Sequence, residues 1–202
     1  MCEPYISLTE ALETRRSVYG IGRNVTLSDG EIAGIISHCV QFAPSAYNSQ
    51  SGRVALLLGE NHEKLWNTVQ DFYQSTLPEE IYSQFEPKFQ GFTAGYGTVL
   101  FFEDQDTIKA MQKSYPHIKD TFPLWSLQSS GMLQYSVWVS LEEKGLGASL
   151  QHYNAAINKI GSKEWDIPPK WDLVAQMPFG SLEEQPGPKT FLPLEKRVKV
   201  FK

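Results

Sequence analysis

The chain has few cysteines and no long apolar segment, which excludes several classes of protein. Cys2 and Cys39 are the only cysteines among 202 residues, a usage typical of a reducing compartment. No apolar run approaches the roughly 20 residues that span a bilayer, and the N-terminus lacks the basic and then apolar pattern of a signal peptide. We therefore expect a cytoplasmic protein without a membrane segment.

The sequence also lacks an excess of positive charge. Its 18 lysines and arginines are outnumbered by 23 aspartates and glutamates, for a net charge of -5. A nucleic-acid binder needs a basic surface against the phosphates, so no nucleic-acid partner is expected, although a local basic site stays possible. Four scattered histidines and two distant cysteines form no metal-binding pattern, and no nucleophilic serine motif is present.

No linker rich in proline, glycine or serine divides the chain. Residues 1-202 are therefore predicted to form one domain. A chain of this length can bury about 70% of the surface that its unfolded form exposes, so its core needs neither disulfide nor metal.

What the sequence does contain is a short polar loop between two well-marked elements. Ser28 and Glu31 form the pattern of a capping box, and apolar residues at helical spacing follow as far as Val40, until Pro44 ends the helix. Residues 53-58 show no polar alternation, which predicts a strand buried on both faces. The intervening loop is therefore expected at the mouth of a buried sheet.

The loop, residues 44-50, has side chains suited to a flat ligand. Asn48 and Gln50 each carry a donor and an acceptor, as the amide edge of a heterocycle requires. Polar loops between rigid elements often hold ligand-binding groups. Solvated residues that cap nearby backbone are an equally good interpretation of these residue types.

The first helix begins with a second capping-box pattern, Ser7 and Glu10. Its apolar residues Leu8, Ala11 and Leu12 are predicted to face inward.

Two adjacent arginines, Arg15 and Arg16, end this helix. They can satisfy the last helical carbonyls and interact with the helix dipole. They can equally form an anion clamp, because guanidinium groups bind phosphate through two parallel hydrogen bonds and Ser17 adds a hydroxyl donor. The residue types do not separate these interpretations.

The remaining elements are predicted from periodicity and capping signals. We expect helices over residues 60-77 and 125-144, the second capped by Gly145, with an irregular region between Pro78 and Pro87. Buried or short strands are expected over 98-103, 148-150 and 173-180, where Pro178 marks an end or edge. A short terminal strand is expected near 198-201. The second half of the 125-144 helix is apolar around much of its circumference, which favours burial against a second subunit.

Four polar residues follow the short strand, namely Gln151, His152, Tyr153 and Asn154. Such a cluster at a strand's end commonly lines a cleft. His152 is more often a structural histidine in this setting, and proton delivery to a substrate is the minor alternative.

Together these motifs resemble the nitroreductase family. The resemblance rests on Arg15-Arg16-Ser17, the Pro-Ser-x-x-Asn-Ser-Gln loop, the segment 145-154 and a basic tail, and it covers nearly the whole chain. Residues 94-105, Trp138 and 150-154 are more specifically similar to the branch typified by the yeast fatty-acid-repression proteins and their bacterial homologues.

The resemblance implies an α+β fold with a central mixed β-sheet surrounded by helices, in an intertwined homodimer with FMN at the subunit interface. NADH or NADPH would donate hydride in a ping-pong cycle, and nitroaromatics, quinones or related small aromatic molecules would accept electrons. The flavin carries the chemistry in such enzymes, so no side chain is assigned as catalytic. A flavin-binding regulatory or stress-response protein with little turnover is the alternative.

The resemblance also implies which residues hold the cofactor. Arg15, Arg16 and Ser17 would bind the FMN phosphate and ribityl chain, Tyr19 would lie near the ring, and the partner subunit would supply Ser45, Ala46, Asn48 and Gln50. Leu150, Gln151 and His152 would face the redox-active edge of the ring. Lys189 matches the first C-terminal phosphate contact, whereas the expected second basic position is Phe191, for which Arg197 is the substitute. The wider family often has lysine at the position of Tyr19.

Overall fold

A computed structural model of the protein describes residues 6-158 and 161-202, with backbone alone at 161 and 162. Cys2, predicted near a loose terminus, lies outside these residues. None of the helices in these two ranges is long and apolar enough to cross a membrane.

An antiparallel sheet forms the centre of the fold. Within the described ranges its strands are β1 (Ile21–Gly22), β2 (Gly52–Leu58), β3 (Gly97–Asp104), β4 (Leu146–Ala148) and β5 (Trp171–Leu182). The order is β1-β5-β3-β2, and β4 also pairs with β5. All these pairs are antiparallel, and an isolated bridge between Ser17 and Ala148 is parallel. The predicted α+β class is confirmed.

Helices cover both faces of the sheet. They are α1 (Leu8–Thr14), α2 (Asp29–Phe42), α3 (Glu60–Thr76), α4 (Glu79–Thr93), α5 (Gln105–Ser114), α6 (Phe122–Glu143), α7 (Asn154–Ile157) and α8 (Gly161–Glu164). Alternate residues of β3 serve two cores. Val99 and Phe101 pack with α2 and α6, whereas Leu100 and Phe102 pack with α3, α4 and α7.

The predicted caps are present at the helices that frame the sheet. In α2, the Ser28 hydroxyl accepts from the Glu31 amide at 3.3 Å, and the Glu31 carboxylate accepts from the Ser28 amide at 2.8 Å. At the end of α6, Gly145 has φ +75° and its amide donates to the Glu142 carbonyl at 2.9 Å. Both boundaries thus follow from local chemistry.

Three predicted local elements are wrong. Residues 78-87 are not irregular but begin α4, which contains Pro87, because the buried Phe89 and Phe92 stabilise the helix against the loss of one amide donor. The predicted terminal strand is exposed coil within this single chain, and the short strand expected over 148-150 is instead β4, two residues earlier.

Pro178 lies inside β5 and not at its end, for a geometric reason. Its carbonyl accepts from the Ser149 amide at 3.2 Å, so this edge of the residue faces β4. The amide and carbonyl of one residue point the same way in an antiparallel strand. The absence of an amide hydrogen at Pro178 therefore removes one hydrogen bond to Ser149 and no hydrogen bond to β3.

Apolar residues on two outer elements are less buried than predicted. Leu8 and Leu12 of α1 are 62% and 44% exposed, and only Ala11 is buried. β2 is an edge strand in which only Leu57 is fully buried, so its expected burial on both faces is also wrong for one copy of the chain. Both elements leave apolar surface uncovered.

Gly180 marks the closest backbone approach in the sheet. A Cβ atom there would collide with the Gly22 carbonyl oxygen and lie 3.0 Å from the Tyr96 amide nitrogen. We expect Gly180→Ala to lower the free energy of unfolding by about 2-3 kcal/mol, because the neighbouring backbone must move. In the control Gly34→Ala, on α2 with open space around it, stability should rise by up to about 1 kcal/mol. Urea unfolding measures both, and equal stabilities would contradict the prediction.

Candidate active site

The segment from Arg15 to Tyr19 leaves α1 and runs beside β4. The Val18 amide donates to the Ala148 carbonyl at 2.9 Å, and Ser17 forms the parallel bridge to Ala148. The predicted arginine motif and the segment that follows β4 therefore come together. We call residues 15-19 and 148-153 the first half-site.

Arg15 has donors that the chain does not use. Its guanidinium carbon lies 4.2 Å from the centre of the Trp138 ring and 5.8 Å from that of Tyr135. Its Nε atom is buried, and no residue in the described ranges accepts a hydrogen bond from the guanidinium. Burial raises the pKa of nearby Glu142, against opposing effects of Thr14 and Arg15. A buried donor without an acceptor indicates a place for an external anion.

Arg16 contacts the start of the C-terminal tail. Its Nη1 atom donates to the Gly187 carbonyl at 2.7 Å. Lys189 follows two residues later, so its backbone lies within about 7 Å of that carbonyl by chain length alone. Arg197, in the exposed end of the tail, makes no described contact with the first half-site.

An aromatic wall adjoins the first half-site. The Tyr19 ring is about half exposed and lies 6.3 Å from Phe92, measured between ring centres. Phe92 in turn lies 6.2 Å from Tyr153. Tyr19 is therefore held beside the segment that follows β4.

Hydrogen bonds to β5 determine which amides of this segment stay free. The amides of Ser149, Gln151 and Tyr153 all donate to β5, to the Pro178 carbonyl, the Gln176 carbonyl and the Gln176 side chain at 3.2, 2.7 and 2.6 Å. The intervening amides point the other way, as alternation along an extended chain requires. Those of Leu150 and His152 donate to no described residue. They are directed toward the side away from β5.

The loop before β2 forms the second half-site, residues 45-50. Tyr47, Asn48 and Gln50 adopt φ values of 55°, 50° and 50°, a left-handed conformation that costs non-glycine residues about 1-3 kcal/mol each. The Ser45 hydroxyl accepts from the Gln50 amide at 2.9 Å. Ala46 begins a 3₁₀ turn, Ala46–Asn48. The side chains of Asn48 and Gln50 are exposed, with no partner among the described residues.

Arg53 braces this strained loop. Its Nη1 atom donates to the Gln50 carbonyl at 2.5 Å, and its Nη2 atom donates to the Asp104 carboxylate at 2.8 Å. Burial opposes ionisation of Asp104, but hydrogen bonds from Thr107 and the Asp106 amide, together with the Arg53 charge, lower its pKa. The loop is thereby tied to the end of β3.

Aromatic rings support the loop from below. Tyr47 lies 4.7 Å from Tyr115, 5.7 Å from Phe122 and 5.9 Å from Trp125, between ring centres. The second half-site thus rests on the N-terminal end of α6.

A buried acid lies next to the loop. Glu103 is 2% exposed, and neither of its carboxylate oxygens has a hydrogen-bond partner among the described residues. Burial raises its pKa to about 7, with smaller opposing effects of Ser51 and Arg53. The Ser51 carbonyl accepts from the Asp104 amide at 2.9 Å, which places the acid beneath the residue that follows Gln50.

The two half-sites do not meet within one chain. Arg15 stacks on Trp138, near the C-terminal end of α6, whereas Tyr47 packs on Trp125, near its N-terminal end. Trp125 and Trp138 are thirteen residues apart (138 − 125), which corresponds to about 20 Å along a helix. The resemblance implied that both sets of residues contact one ligand from two different subunits, and that arrangement stays a prediction; in a single chain the two sets lie apart.

Sequence reasoning missed Arg53 and Gln176, which hold the half-sites in place, and Glu103, which is buried next to the second half-site without a hydrogen-bond partner among the described residues. Each is a polar residue within or at the end of an otherwise apolar strand. A polar side chain at such a position needs a hydrogen-bond partner or has a function, and this pattern could have identified the three residues from the sequence. No cluster of three or more His, Cys, Asp or Glu side chains suited to a metal occurs in the described part of the chain.

The fold is thus an antiparallel sheet between two helical layers, with an arginine after α1 whose guanidinium donates to no described residue and an amide-bearing loop before β2. The sequence pattern of the nitroreductase family matches residues 12-181. The Saccharomyces cerevisiae nitroreductase homologue HBN1 is 31% identical over 197 residues, 95% of each chain.

Solved structures of nitroreductases are also similar to this chain. Nitroreductase CinD from Lactococcus lactis, in complex with chloramphenicol, is 40% identical, with 97% of this chain and 100% of that chain covered and a TM-score of 0.87. It has also been solved with 4-nitrophenol. A protein from Exiguobacterium sibiricum in complex with FMN shares the fold at 15% identity, with both chains fully covered and a TM-score of 0.74.

The chain therefore belongs to the nitroreductase family and is an oxidoreductase of the nitroreductase type.

Glu103 makes stability depend on pH. Its pKa is about 7 in the folded protein and 4.5 as an ordinary glutamate, so between these values only the folded state holds the proton. The free energy of unfolding of the wild type should therefore fall as pH rises from 4.5 to 7, by about 3 kcal/mol relative to Glu103→Gln, which stays neutral.

Urea unfolding of both proteins at pH 5 and pH 8 measures this difference. Burial lowers the pKa of His62 to about 4, which produces an opposite slope in both proteins and cancels in the comparison. Parallel pH profiles for wild type and Glu103→Gln would contradict the assignment.

Proposed function

We propose that two copies of this chain hold FMN between them and catalyse electron transfer from NADH or NADPH to a small aromatic acceptor. The observation that carries the proposal is the unused guanidinium of Arg15, buried at Nε and stacked on Trp138. Family membership supports the reaction type.

The first half-site suits the phosphate end of the cofactor. Arg15 offers free donors in a fixed orientation, and a guanidinium matches phosphate geometry better than an ammonium does. Ser17 is exposed and adds a hydroxyl. Arg16 and Lys189 contribute positive charge beside it, and Arg16 fixes the tail by its bond to Gly187.

The ring end of the cofactor suits the remaining groups. The free amides of Leu150 and His152 are hydrogen-bond donors on the side away from β5, next to the half-exposed Tyr19. Asn48 and Gln50 present unpartnered amide side chains, which can pair with the donors and acceptors of a pyrimidine edge. Ser45 and Ala46 supply the turn that holds them.

A second copy is needed to join these groups. Leu124, Leu127 and Tyr135 are 58%, 54% and 45% exposed and form an apolar stripe on α6, together with the open position of Gly131. A twofold axis across this stripe would set the two α6 helices antiparallel. The Arg15 end of one helix would then lie against the Tyr47 end of the other, and each pair of half-sites would close one cofactor site.

The C-terminal tail supports the same assembly. Its apolar side chains are largely exposed, with Phe191, Val200 and Phe201 at 73%, 75% and 89%. A cavity of about 490 Å³ between α2, β2 and α6 offers apolar surface beside the unpaired edge of β2. The tail of a second copy fits this groove, where it would cover surface that one chain leaves open. Arg197 would reach the phosphate only through such a rearrangement.

FMN bound between these residues would supply the hydride and electron-transfer chemistry. The chain positions the cofactor and sets its electrostatic surroundings. Arg15 and Arg16 provide positive charge at the phosphate, Leu150 and His152 donate backbone hydrogen bonds, and the rigid loop orients the Asn48 and Gln50 amides. No side chain needs to act as a catalytic acid or base. Small aromatic acceptors are proposed because the related CinD binds chloramphenicol and 4-nitrophenol.

The absorption spectrum of the purified protein tests this function first. We expect a flavin spectrum, retained or gained on addition of FMN, that NADH or NADPH bleaches and chloramphenicol or menadione restores. A yellow protein that neither nucleotide bleaches would favour a regulatory flavin-binding role. A colourless protein that ignores FMN would refute the proposal.

Mixing of two defective proteins tests whether the site is shared. Arg15→Ala with Arg16→Ala removes the first half-site, and Asn48→Ala with Gln50→Ala removes the second, so each protein alone should lose FMN. Co-expressed, they should regain about a quarter of the wild-type sites, because random assortment yields half heterodimers with one intact site each. FMN titration with light scattering measures occupancy and assembly.

The matched control is Arg23→Ala, since this guanidinium is already engaged by Glu63 at 2.7 Å and by the Thr93 carbonyl at 3.1 Å. It should bind FMN as the wild type does. Absence of recovery in the mixed sample would contradict a site shared between subunits.

A further inference from the structure

Two buried amide side chains organise the segment that follows β4. Gln176 lies in the middle of β5 and is fully buried. Its Nε2 atom donates to the Asn154 Oδ1 atom at 2.7 Å, and its Oε1 atom accepts from the Tyr153 amide at 2.6 Å. The Asn154 Nδ2 atom donates to the carbonyls of Leu173 and Val174 at 2.8 and 3.3 Å.

These side chains replace one rung of the backbone ladder. Gln151 and Gln176 exchange both main-chain hydrogen bonds, at 2.7 and 2.9 Å. Continued pairing would set Tyr153 opposite Val174, but the chain leaves β5 at this point. The Gln176 side chain accepts from Tyr153 instead, and Asn154 satisfies the Val174 carbonyl. The Tyr153 peptide is thus fixed although the strand has ended.

We infer that Gln176 and Asn154 are positioning residues that aim the His152 amide at the flavin ring, an inference that rests on the proposed function. Apolar side chains of similar size would fill the same space but leave the Tyr153 amide unpaired. A fixed Tyr153 peptide restrains the preceding His152 peptide, whose amide points away from β5. Preorganised backbone donors of this kind stabilise negative charge that develops beside them.

The test compares how tightly the protein binds oxidised and reduced FMN. Gln176→Met keeps side-chain volume and removes both hydrogen bonds. Misaimed backbone donors should weaken binding of dithionite-reduced FMN more than of oxidised FMN, by about tenfold in the ratio of dissociation constants, which corresponds to about 30 mV in potential. Gln134→Met is the matched control, a buried glutamine on α6 whose amide bonds Ser130 at 2.9 Å, and its ratio should equal that of the wild type.

Every outcome bears on the inference. A folded Gln176→Met protein with the wild-type ratio would overturn it and leave the pair a purely structural role. Loss of FMN by folded Gln176→Met alone, with the control unaffected, would support it. If Gln176→Met does not fold, Asn154→Ala decides, because it retains the Gln176 bond to Tyr153 and should change the ratio by about threefold, less than a full hydrogen-bond loss.

A failure of the proposed function can be distinguished from a failure of this inference. If the wild type binds no FMN, the cofactor assignment falls, and amide hydrogen exchange then examines the positioning itself. Exchange at Tyr153, whose amide loses its acceptor, should be faster in Gln176→Met than in Gln134→Met. Equal exchange rates would overturn the inference on this second measure.

Discussion

The length of α6 is the constraint on which the arrangement of this protein depends. One end of the helix carries Trp138, on which the Arg15 guanidinium stacks, and the other carries Trp125, against which Tyr47 packs. The buried face of α6 is committed to the sheet through Leu133, so the helix cannot bend to bring its ends together. The two half-sites therefore lie about 20 Å apart along α6 in one chain.

Polar residues within apolar strands serve the loops that follow or precede those strands. Arg53 ties the left-handed Gln50 to Asp104, and Gln176 captures the amide of Tyr153 where the ladder ends. Gln176 is fully buried and both ends of its amide are hydrogen-bonded, as buried polar groups require, whereas Arg53 is partly buried and makes several hydrogen bonds. Glu103 differs, because its oxygens lack partners among the described residues and burial raises its pKa to about 7. Arg53 and Gln176 thereby fix segments without regular structure against the rigid sheet.

Much of the fold could be predicted from local signals. The capping box of Ser28 and Glu31 and the left-handed Gly145 set helix ends that the structure confirms. The predictions at Pro87 and Pro178 were wrong, since Pro87 lies in a helix that tertiary packing stabilises, and the missing amide of Pro178 faces Ser149 and not β3, which the sequence does not reveal. Leu8 and Leu12 show periodicity typical of a core yet lie on the surface of one chain. Periodicity predicts that a face will be covered but not by what.

By itself the sequence determined the residue types available to a site: guanidiniums after the first helix, amides in a loop, and a polar segment beyond a short strand. These follow from chemistry confined to a few neighbouring residues. Only the tertiary structure decided which of them meet, because the Ser17 bridge to Ala148 and the brace of Arg53 on Asp104 join positions far apart in the chain. It also decided that the Arg15 and Asn48 regions stay apart in one copy, since a packed helix of fixed rise separates them.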